Sequence, residues 1–218
     1  MSTFSGSPKV LKGGLVLLDP DSGAVQRIIV LQYNPETVSR TLSPQAATGE
    51  GDRSEALRLK GPPVETIKLE AAIDATDHLE FPAQNANAVQ LGIQPQLAAI
   101  ETILYPASST LQLNHTLASV GTLEITPAIA PLTLLVWGRQ RIVPVRITDF
   151  SVIEEAFDPA LNPILAKVSL SLRVLSINDL DFNSKGGSLY MVYHQARERL
   201  AQRNAAGAFT ALGIQGIP

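Results

Sequence analysis

The sequence of 218 residues contains no cysteine, three histidines, one tryptophan and only 5% aromatic residues. The absence of cysteine excludes disulfides, thiol catalysis and thiolate metal sites. Its unbroken apolar runs are only a few residues long, too short to span a bilayer. The N-terminus lacks a basic region followed by an apolar core, so we expect no signal peptide and no membrane insertion. The sequence predicts a protein made in the cytoplasm.

Positive charge is also scarce. The chain has 17 Lys and Arg residues against 20 Asp and Glu residues, giving a formal net charge of -3. Proteins that bind nucleic acid through the phosphate backbone usually present a basic surface. We therefore expect no nucleic-acid partner.

The histidines offer no metal site. His78, His115 and His194 do not fall at a spacing that brings two of them to one ion. A segment that begins at Asp179 resembles the start of a calcium loop, but Ser184 stands where the loop needs glycine and Tyr190 where it needs glutamate. We expect no metal and no cofactor.

No catalytic motif is present. The sequence contains neither a Gly-x-Ser-x-Gly nucleophile elbow nor a P-loop, and a Gly-x-Gly segment at residue 49 lacks the third glycine of a dinucleotide fingerprint. Glu154 and Glu155 are adjacent in a predicted strand, so their side chains point to opposite faces and cannot easily share a proton. We therefore expect that the protein is not an enzyme.

Alternating apolar and polar residues predict a mainly β protein. A turn rich in Asp, Pro, Ser and Gly at residues 19–23 joins the first two strands into a hairpin. A change of parity near Thr148 predicts a β-bulge. The predicted strands are, in chain order, residues 10–18, 25–33, 64–75, 132–137, 141–154 and 166–174.

Two segments have helical patterns, residues 94–105 and an amphipathic stretch at residues 188–203 with Ser188 as its cap. Residues 39–61 are polar without a sustained apolar period, and they predict a long loop. The chain thus reads as one α+β domain over residues 1–203, followed by an uncharged tail at residues 204–218.

Between Phe81 and Val136 there is no Lys or Arg, and the only acids are Glu101 and Glu124. A solvated surface normally mixes both signs of charge. We expect part of this segment to be covered, either by the core of its own chain or by another subunit.

Four segments, in this order, resemble the tube protein of contractile injection systems, which are phage-tail-like particles, and in particular its baseplate tube-adaptor type. The resemblance covers about residues 10–203. The segments are YNPETVS from Tyr33, GPPVETI from Gly61 running on to Asp77, PVRITDFSVIEEAFD from Pro144, and LNPILAKV from Leu161.

The resemblance implies a fold related to phage tail tubes, a β-sandwich or partial barrel with a packed helix and a C-terminal amphipathic helix. It implies a structural protein that forms a homohexameric ring in the baseplate. Its partners would be further copies of itself, a tube-initiator or inner-tube protein, the spike hub and other baseplate components. The chain would be made in a bacterial cytoplasm and act within an assembled phage-tail-like particle, and the sequence leaves open whether that particle stays in the cytoplasm, attaches to a membrane or is released by lysis. Many relatives carry a LysM module after the tube domain, and because this sequence ends at Pro218 we expect none here.

The resembling segments supply the candidate turn and interface residues. The Asn-Pro pairs are expected to fix turns more than to contact partners, and Phe157 and Trp137 are expected in the core. The polar loop and the charge-poor segment are the candidate subunit-contact patches. The candidates are Tyr33, Asn34, Pro35, Arg53, Pro62, Pro63, Glu154, Glu155, Phe157, Asn162 and Pro163.

Two other functions remain open from the sequence. The chain could be an inner-tube or tube-initiator protein of the same particle, which would form long tubes. It could instead be a carbohydrate- or peptidoglycan-binding or -active domain, whose catalysis would need two carboxylates at a suitable separation. No local motif supports the second function.

Overall fold

The structure is a computed structural model that describes residues 10–45, 57–119, 121, 129–204, 207 and 209–217. Its strands form one seven-stranded sheet in the order β2-β1-β5-β6-β7-β4-β3, and every neighbouring pair is antiparallel. The strands are β1 Gly14–Leu18, β2 Val25–Val30, β3 Val38–Ser43, β4 Val64–Asp74, β5 Leu132–Val136, β6 Ile142–Phe157 and β7 Pro163–Val174. The helices are α1 Thr76–Leu79, α2 Ala86–Leu91, α3 Gln94–Glu101, α4 Ser108–Ser119 and α5 Lys185–Gln202, and a 3₁₀ turn spans Phe209–Leu212.

The sheet curves around one main hydrophobic core. Alternate residues of β1, β4, β5, β6 and β7 enter that core, together with Ile93, Leu97 and Ile100 of the α3 region and two tyrosines of α5. The Gln32 side chain, just beyond β2, bonds both the N–H and the C=O of Asp74 at the end of β4, at 2.8 and 2.6 Å. These bonds join distant strands of the sheet order. The predicted α+β fold is confirmed, with one seven-stranded antiparallel sheet.

The strands β1 and β5 are apolar on both faces. Leu15 and Leu135 lie opposite one another and point into the main core. On the outer face, Leu18, Leu132 and Leu134 form a second, smaller cluster. Val16, Leu180 and Leu189 pack against this outer cluster. Burial on both faces explains why these two short strands are largely apolar instead of alternating.

The predicted loop at residues 39–61 is wrong over its first residues. Residues Val38–Ser43 form β3, which pairs with β4 from Val38↔Leu69 to Ser43↔Val64. This strand lies at the sheet edge and its residues are largely exposed, so it lacks the apolar alternation by which a half-buried strand is recognised. Residues 46–56 of the predicted loop lie outside the described residues.

The two predicted helices exist with different bounds. Helix α3 begins at Gln94 as predicted but ends at Glu101. Helix α5 begins at Lys185 and is capped by Ser184, whose Oγ accepts from Gly187 N at 3.0 Å, so Ser188 is not the cap. Glycine is a poor helix former, and Gly186 and Gly187 concealed this first turn. Both glycines are buried.

Strand β6 is irregular against β7. The predicted bulge near Thr148 is confirmed, because the register shifts between Ile147 and Asp149. Two further shifts occur, between Glu154 and Ala156 and between Ala156 and Phe157. Each extra residue changes which side chains face the core.

Candidate assembly surfaces

An apolar strip is exposed along β2, at one end of the sheet. Ile28 and Val30 are 63% and 58% exposed and lie opposite Val16 and Gly14 of β1. Since Val16 packs against the outer cluster, the strip continues that apolar surface to the edge of the sheet. Large apolar side chains that form a continuous exposed surface are typical of a protein–protein contact.

The sheet has two open edges. Strand β2 pairs only with β1, and β3 pairs only with β4, within the described part of the chain. The two edges differ in chemistry, because β3 carries Ser39, Arg40, Thr41 and Ser43. An unpaired edge presents free N–H and C=O groups that another strand can bond.

The charge-poor segment divides into a covered and an uncovered part. Ile93, Leu97 and Ile100 are buried in the main core. Helix α4 has no buried residue, and its Leu111 and Leu113 are each more than half exposed. The core of the chain therefore accounts for α3 but not for α4.

The first Asn-Pro pair holds the N-terminal segment against the end of β2. Asn34 Oδ1 accepts from Gly13 N, and Asn34 Nδ2 donates to the Leu11 carbonyl, each at 2.8 Å. Pro35 is half-buried and follows in the turn before β3. Tyr33 is exposed, and its pKa is raised by local desolvation and by the nearby carboxylates of Asp77 and Asp74. The asparagine thus builds a turn, as expected.

The second Asn-Pro pair closes the turn between β6 and β7. Asn162 Nδ2 donates to Asp158 Oδ2 at 2.8 Å and to the Gln90 carbonyl at 3.1 Å. Together with the bond from Asn162 N, at 2.8 Å, this lowers the pKa of Asp158. Leu161 takes a left-handed conformation with φ 64°. The buried Pro163 accepts from Ile93 N at 2.8 Å, which ties the turn to the start of α3.

Pro62 and Pro63 are half-buried just before β4. The adjacent Gly61 lies so close to the Asn178 side chain that an added Cβ would stand 2.7 Å from its Nδ2. These prolines direct the chain into the sheet. Arg53 lies outside the described residues.

The acidic pair on β6 is exposed and is separated from the core. Glu155 accepts from Lys167 Nζ at 2.6 Å, and this bond raises the lysine pKa. Glu154 is also exposed.

Phe157 is 49% exposed, so the expectation that it lies in the core is wrong. The two register shifts before it change the face of the sheet to which its side chain points. Trp137 packs against the main core as expected.

Sequence reasoning missed a buried ionic cluster that joins β4 to α5. Glu65 is 3% exposed, and its Oε2 accepts from Arg197 Nη2 at 2.7 Å while Oε1 accepts from Tyr193 OH at 3.1 Å. The Arg40 Nε lies 3.7 Å from Oε1, and the Arg197 guanidinium lies 4.6 Å from the Tyr193 ring centre. The signal was available, because Glu65 shares the inward parity of the apolar residues of β4.

The charge of Arg197 is retained in this cluster. Burial lowers the pKa of Arg197, but the hydrogen bonds to Glu65 and Tyr193 raise it more, and the net direction is upward. A buried carboxylate with a guanidinium and a hydroxyl as partners is satisfied. The cluster therefore reads as a fastening of α5 to the sheet.

The described residues hold no group of three or more His, Asp or Glu side chains that could bind a metal ion. No helix in the described ranges is both long enough and apolar enough to cross a membrane.

No protein-family model matches the sequence, and no curated protein matches it. Chains of solved structures do match, and one is described as the tail of an empty GTA particle computed with helical refinement in C6 symmetry. It is 12% identical, and the match covers 75% of this chain and 90% of that chain at a TM-score of 0.30. A likeness at this TM-score carries no argument about function.

Proposed function

We propose that this protein is a structural, non-enzymatic component of a contractile injection system. In this proposal it forms a hexameric ring in the baseplate and joins the inner tube to the spike hub. The ordered sequence segments that resemble the tube-adaptor type support the proposal. In this proposal the chain is made in the bacterial cytoplasm and acts within an assembled phage-tail-like particle.

The observation that carries the proposal is the exposed apolar strip on the open edge of β2. Ile28 and Val30 lie at the end of a surface whose other part is already packed under Leu180 and Leu189. An exposed apolar edge strand invites uncontrolled pairing unless it is covered. A ring of identical subunits covers one patch of each copy with a different patch of the next.

The opposite patch in this proposal lies at β3, at the other end of the strand order. Strand β3 offers the second open edge within the described residues, and its Ser, Arg and Thr side chains differ from the apolar strip of β2. Because the two patches differ, a contact between them joins one patch of each copy to a different patch of the next copy. Contacts of this kind close into a ring when the rotation between neighbours allows it.

The first test is the mass of the purified protein, alone and co-expressed with the neighbouring baseplate genes. Light scattering and negative-stain images would show a six-fold ring, alone or only with a tube or spike partner. A stable monomer that ignores those partners would contradict the proposal. Long open-ended tubes from the pure protein would instead favour the inner-tube or tube-initiator role.

A matched pair of variants tests the strip itself. Ile28→Lys places a charge on the strip, and Val192→Lys makes the same change at a residue of α5 that is 58% exposed. We expect Ile28→Lys to shift the ring toward monomer at unchanged thermal stability. The Val192→Lys control should assemble like the wild type. Rings that form equally well in both variants would exclude the β2 strip as a subunit contact.

A further inference from the structure

A small pocket lies where α5, β3 and the β5–β6 turn meet. Its volume is about 180 Å³, and Arg40, Arg141 and Arg197 line it together with Trp137 and Leu200. The turn is tight, because Trp137 N donates to the Arg141 carbonyl at 2.7 Å. One strand, one turn and one helix thus bring three guanidinium groups and an indole ring to one site.

The positive charge in this pocket exceeds the negative charge behind it. Glu65 is the carboxylate that Arg197 and Arg40 approach, at 2.7 and 3.7 Å, and it is itself buried. One carboxylate against three guanidinium groups leaves two positive charges. Like charges held together are unfavourable until an anion joins them.

Arg141 is the guanidinium most free to take that anion. It is half-buried, and the structure records no hydrogen bond or ion pair of its side chain with any described residue. The hydrogen bonds of Arg197 come from Nη2 alone, to Glu65 and to Tyr193. A guanidinium carries five N–H donors, so donors remain for a further acceptor.

We propose that this pocket receives the carboxylate of an acidic side chain from a neighbouring copy of this chain, with Arg141 as its ion-pair partner. The inference rests on the proposed ring, because the ring supplies the neighbour. A second copy carries 20 acidic residues, and Arg40 of the pocket lies on β3, the edge that the proposed ring gives to the neighbour, so a carboxylate of that neighbour complements the pocket. Guanidinium groups bind carboxylates through two parallel hydrogen bonds, and Trp137 and Leu200 offer an apolar wall for the methylene groups of a glutamate.

Trp137 is the single tryptophan of the chain, so its fluorescence reports on the pocket directly. The probe is a capped Ala-Glu-Ala peptide, titrated to tens of millimolar at constant ionic strength. We expect a saturable change in emission with millimolar half-saturation. The isosteric Ala-Gln-Ala peptide, sodium chloride and inorganic phosphate should each give a change at least fivefold smaller.

Two arginine variants provide the matched comparison. Arg141→Gln should abolish the response to the glutamate peptide and reduce the fraction of protein in rings. Arg139→Gln, in the same turn but outside the pocket lining, should respond and assemble like the wild type. Circular dichroism would establish that both variants are folded. An unchanged response in Arg141→Gln, or no response in the wild type, overturns the proposal, and so does a stronger response to phosphate.

Failure of this inference can be told apart from failure of the ring. If wild type and Arg141→Gln form the same amount of ring, the pocket does not take a neighbour's carboxylate, while the ring stands. If the wild type forms no ring even with its baseplate partners, the proposed function fails. The inference then fails as well, because no neighbouring copy supplies the carboxylate, even if the pocket binds the glutamate peptide.

Discussion

The two halves of the sheet differ in their outer faces. In β1 and β5, residues such as Val16 and Leu134 carry the apolar character through to the outside. In β7 and β4, the outer positions hold residues such as Lys167, Ser169 and Lys68. Both halves share one main core on the inside.

This difference indicates that the outer face of the apolar half, and not that of the polar half, is covered by a further protein surface. A strand with one polar face buries all its apolar side chains once its inner face is packed, and its polar face can remain in water. A strand that is apolar on both faces needs a second cover, and here Leu180 and Leu189 supply it only in part. The exposed Ile28 and Val30 mark where that cover ends.

The largest effect should come from Glu65, which is the one buried carboxylate of the polar half within the described residues. Glu65→Ala leaves Arg197 and Tyr193 without their acceptor, and we expect the free energy of unfolding to fall by about 4 kcal/mol. Urea denaturation measures this loss. The control is Glu70→Ala, an exposed position on the same strand, where the change should stay within about 0.5 kcal/mol. A loss below about 1 kcal/mol for Glu65→Ala would mean that the cluster does not fasten α5.

Effects of similar or smaller size are expected on the two faces of the apolar half. Leu15→Ala removes a 2% exposed side chain from the main core and should cost about 4 kcal/mol. Leu134→Ala acts in the smaller outer cluster, which can relax around the lost volume, and should cost about 2 kcal/mol. Chemical denaturation of both variants provides the measurement. An equal or greater cost for Leu134→Ala would show that the outer cluster is a core in its own right.

A smaller effect should come from the cap that starts α5 over the outer cluster. Ser184→Ala removes the hydrogen bond to Gly187 N, and we expect a loss of about 1 kcal/mol in unfolding free energy. Ser188→Ala, one turn later and exposed, should change it by less than about 0.5 kcal/mol. Thermal unfolding followed by circular dichroism compares the two variants. The assignment of Ser184 as the cap fails if both serines cost the same.

The smallest effect should be a pH dependence at the β6–β7 turn of the polar half. The pKa of Asp158 is lowered by its bonds with Asn162, so its contribution to stability is present above the unfolded pKa of about 3.9 and is lost as the pH falls through the folded value. Asn162→Ala should raise the Asp158 pKa toward its ordinary range. The carboxyl carbon shift of Asp158, followed by NMR from pH 6 to pH 2, measures the midpoint. An unchanged midpoint in Asn162→Ala would mean that the hydrogen bond from the Asn162 side chain is not the main cause of the lowered Asp158 pKa.

The sequence predicts the fold best where one face of an element is wet. Strands β4 and β7 followed directly from their period of two, and the bulge near Thr148 followed from a change in that period. Strand β3 was not predicted, because an exposed edge strand needs no apolar face. Helix α4 was not predicted for the same reason, since none of its residues is buried.

The candidate surfaces are less predictable from sequence than the fold. The roles of Asn34 and Asn162 as turn builders follow from residue chemistry, and the hydrogen bonds agree with that interpretation. The arginine pocket depends on Arg40, Arg141 and Arg197 meeting across the sheet order. No local pattern records such a meeting, because it exists only once β3, the β5–β6 turn and α5 are in place. The prediction that Phe157 lies in the core was wrong, because the alternation of apolar and polar residues did not reveal the two register shifts that precede it.

The strand order also dictates when this chain can fold during its synthesis. The hairpins β1–β2 and β3–β4 come first in the sequence, yet they occupy opposite ends of the sheet. The three strands that join them, β5, β6 and β7, begin only at Leu132. Until the ribosome has released those strands, two separate hairpins must wait without a common core, and long-range pairing of this kind is slow. The folded subunit is therefore a product of the completed chain, and any ring that it enters is built after translation.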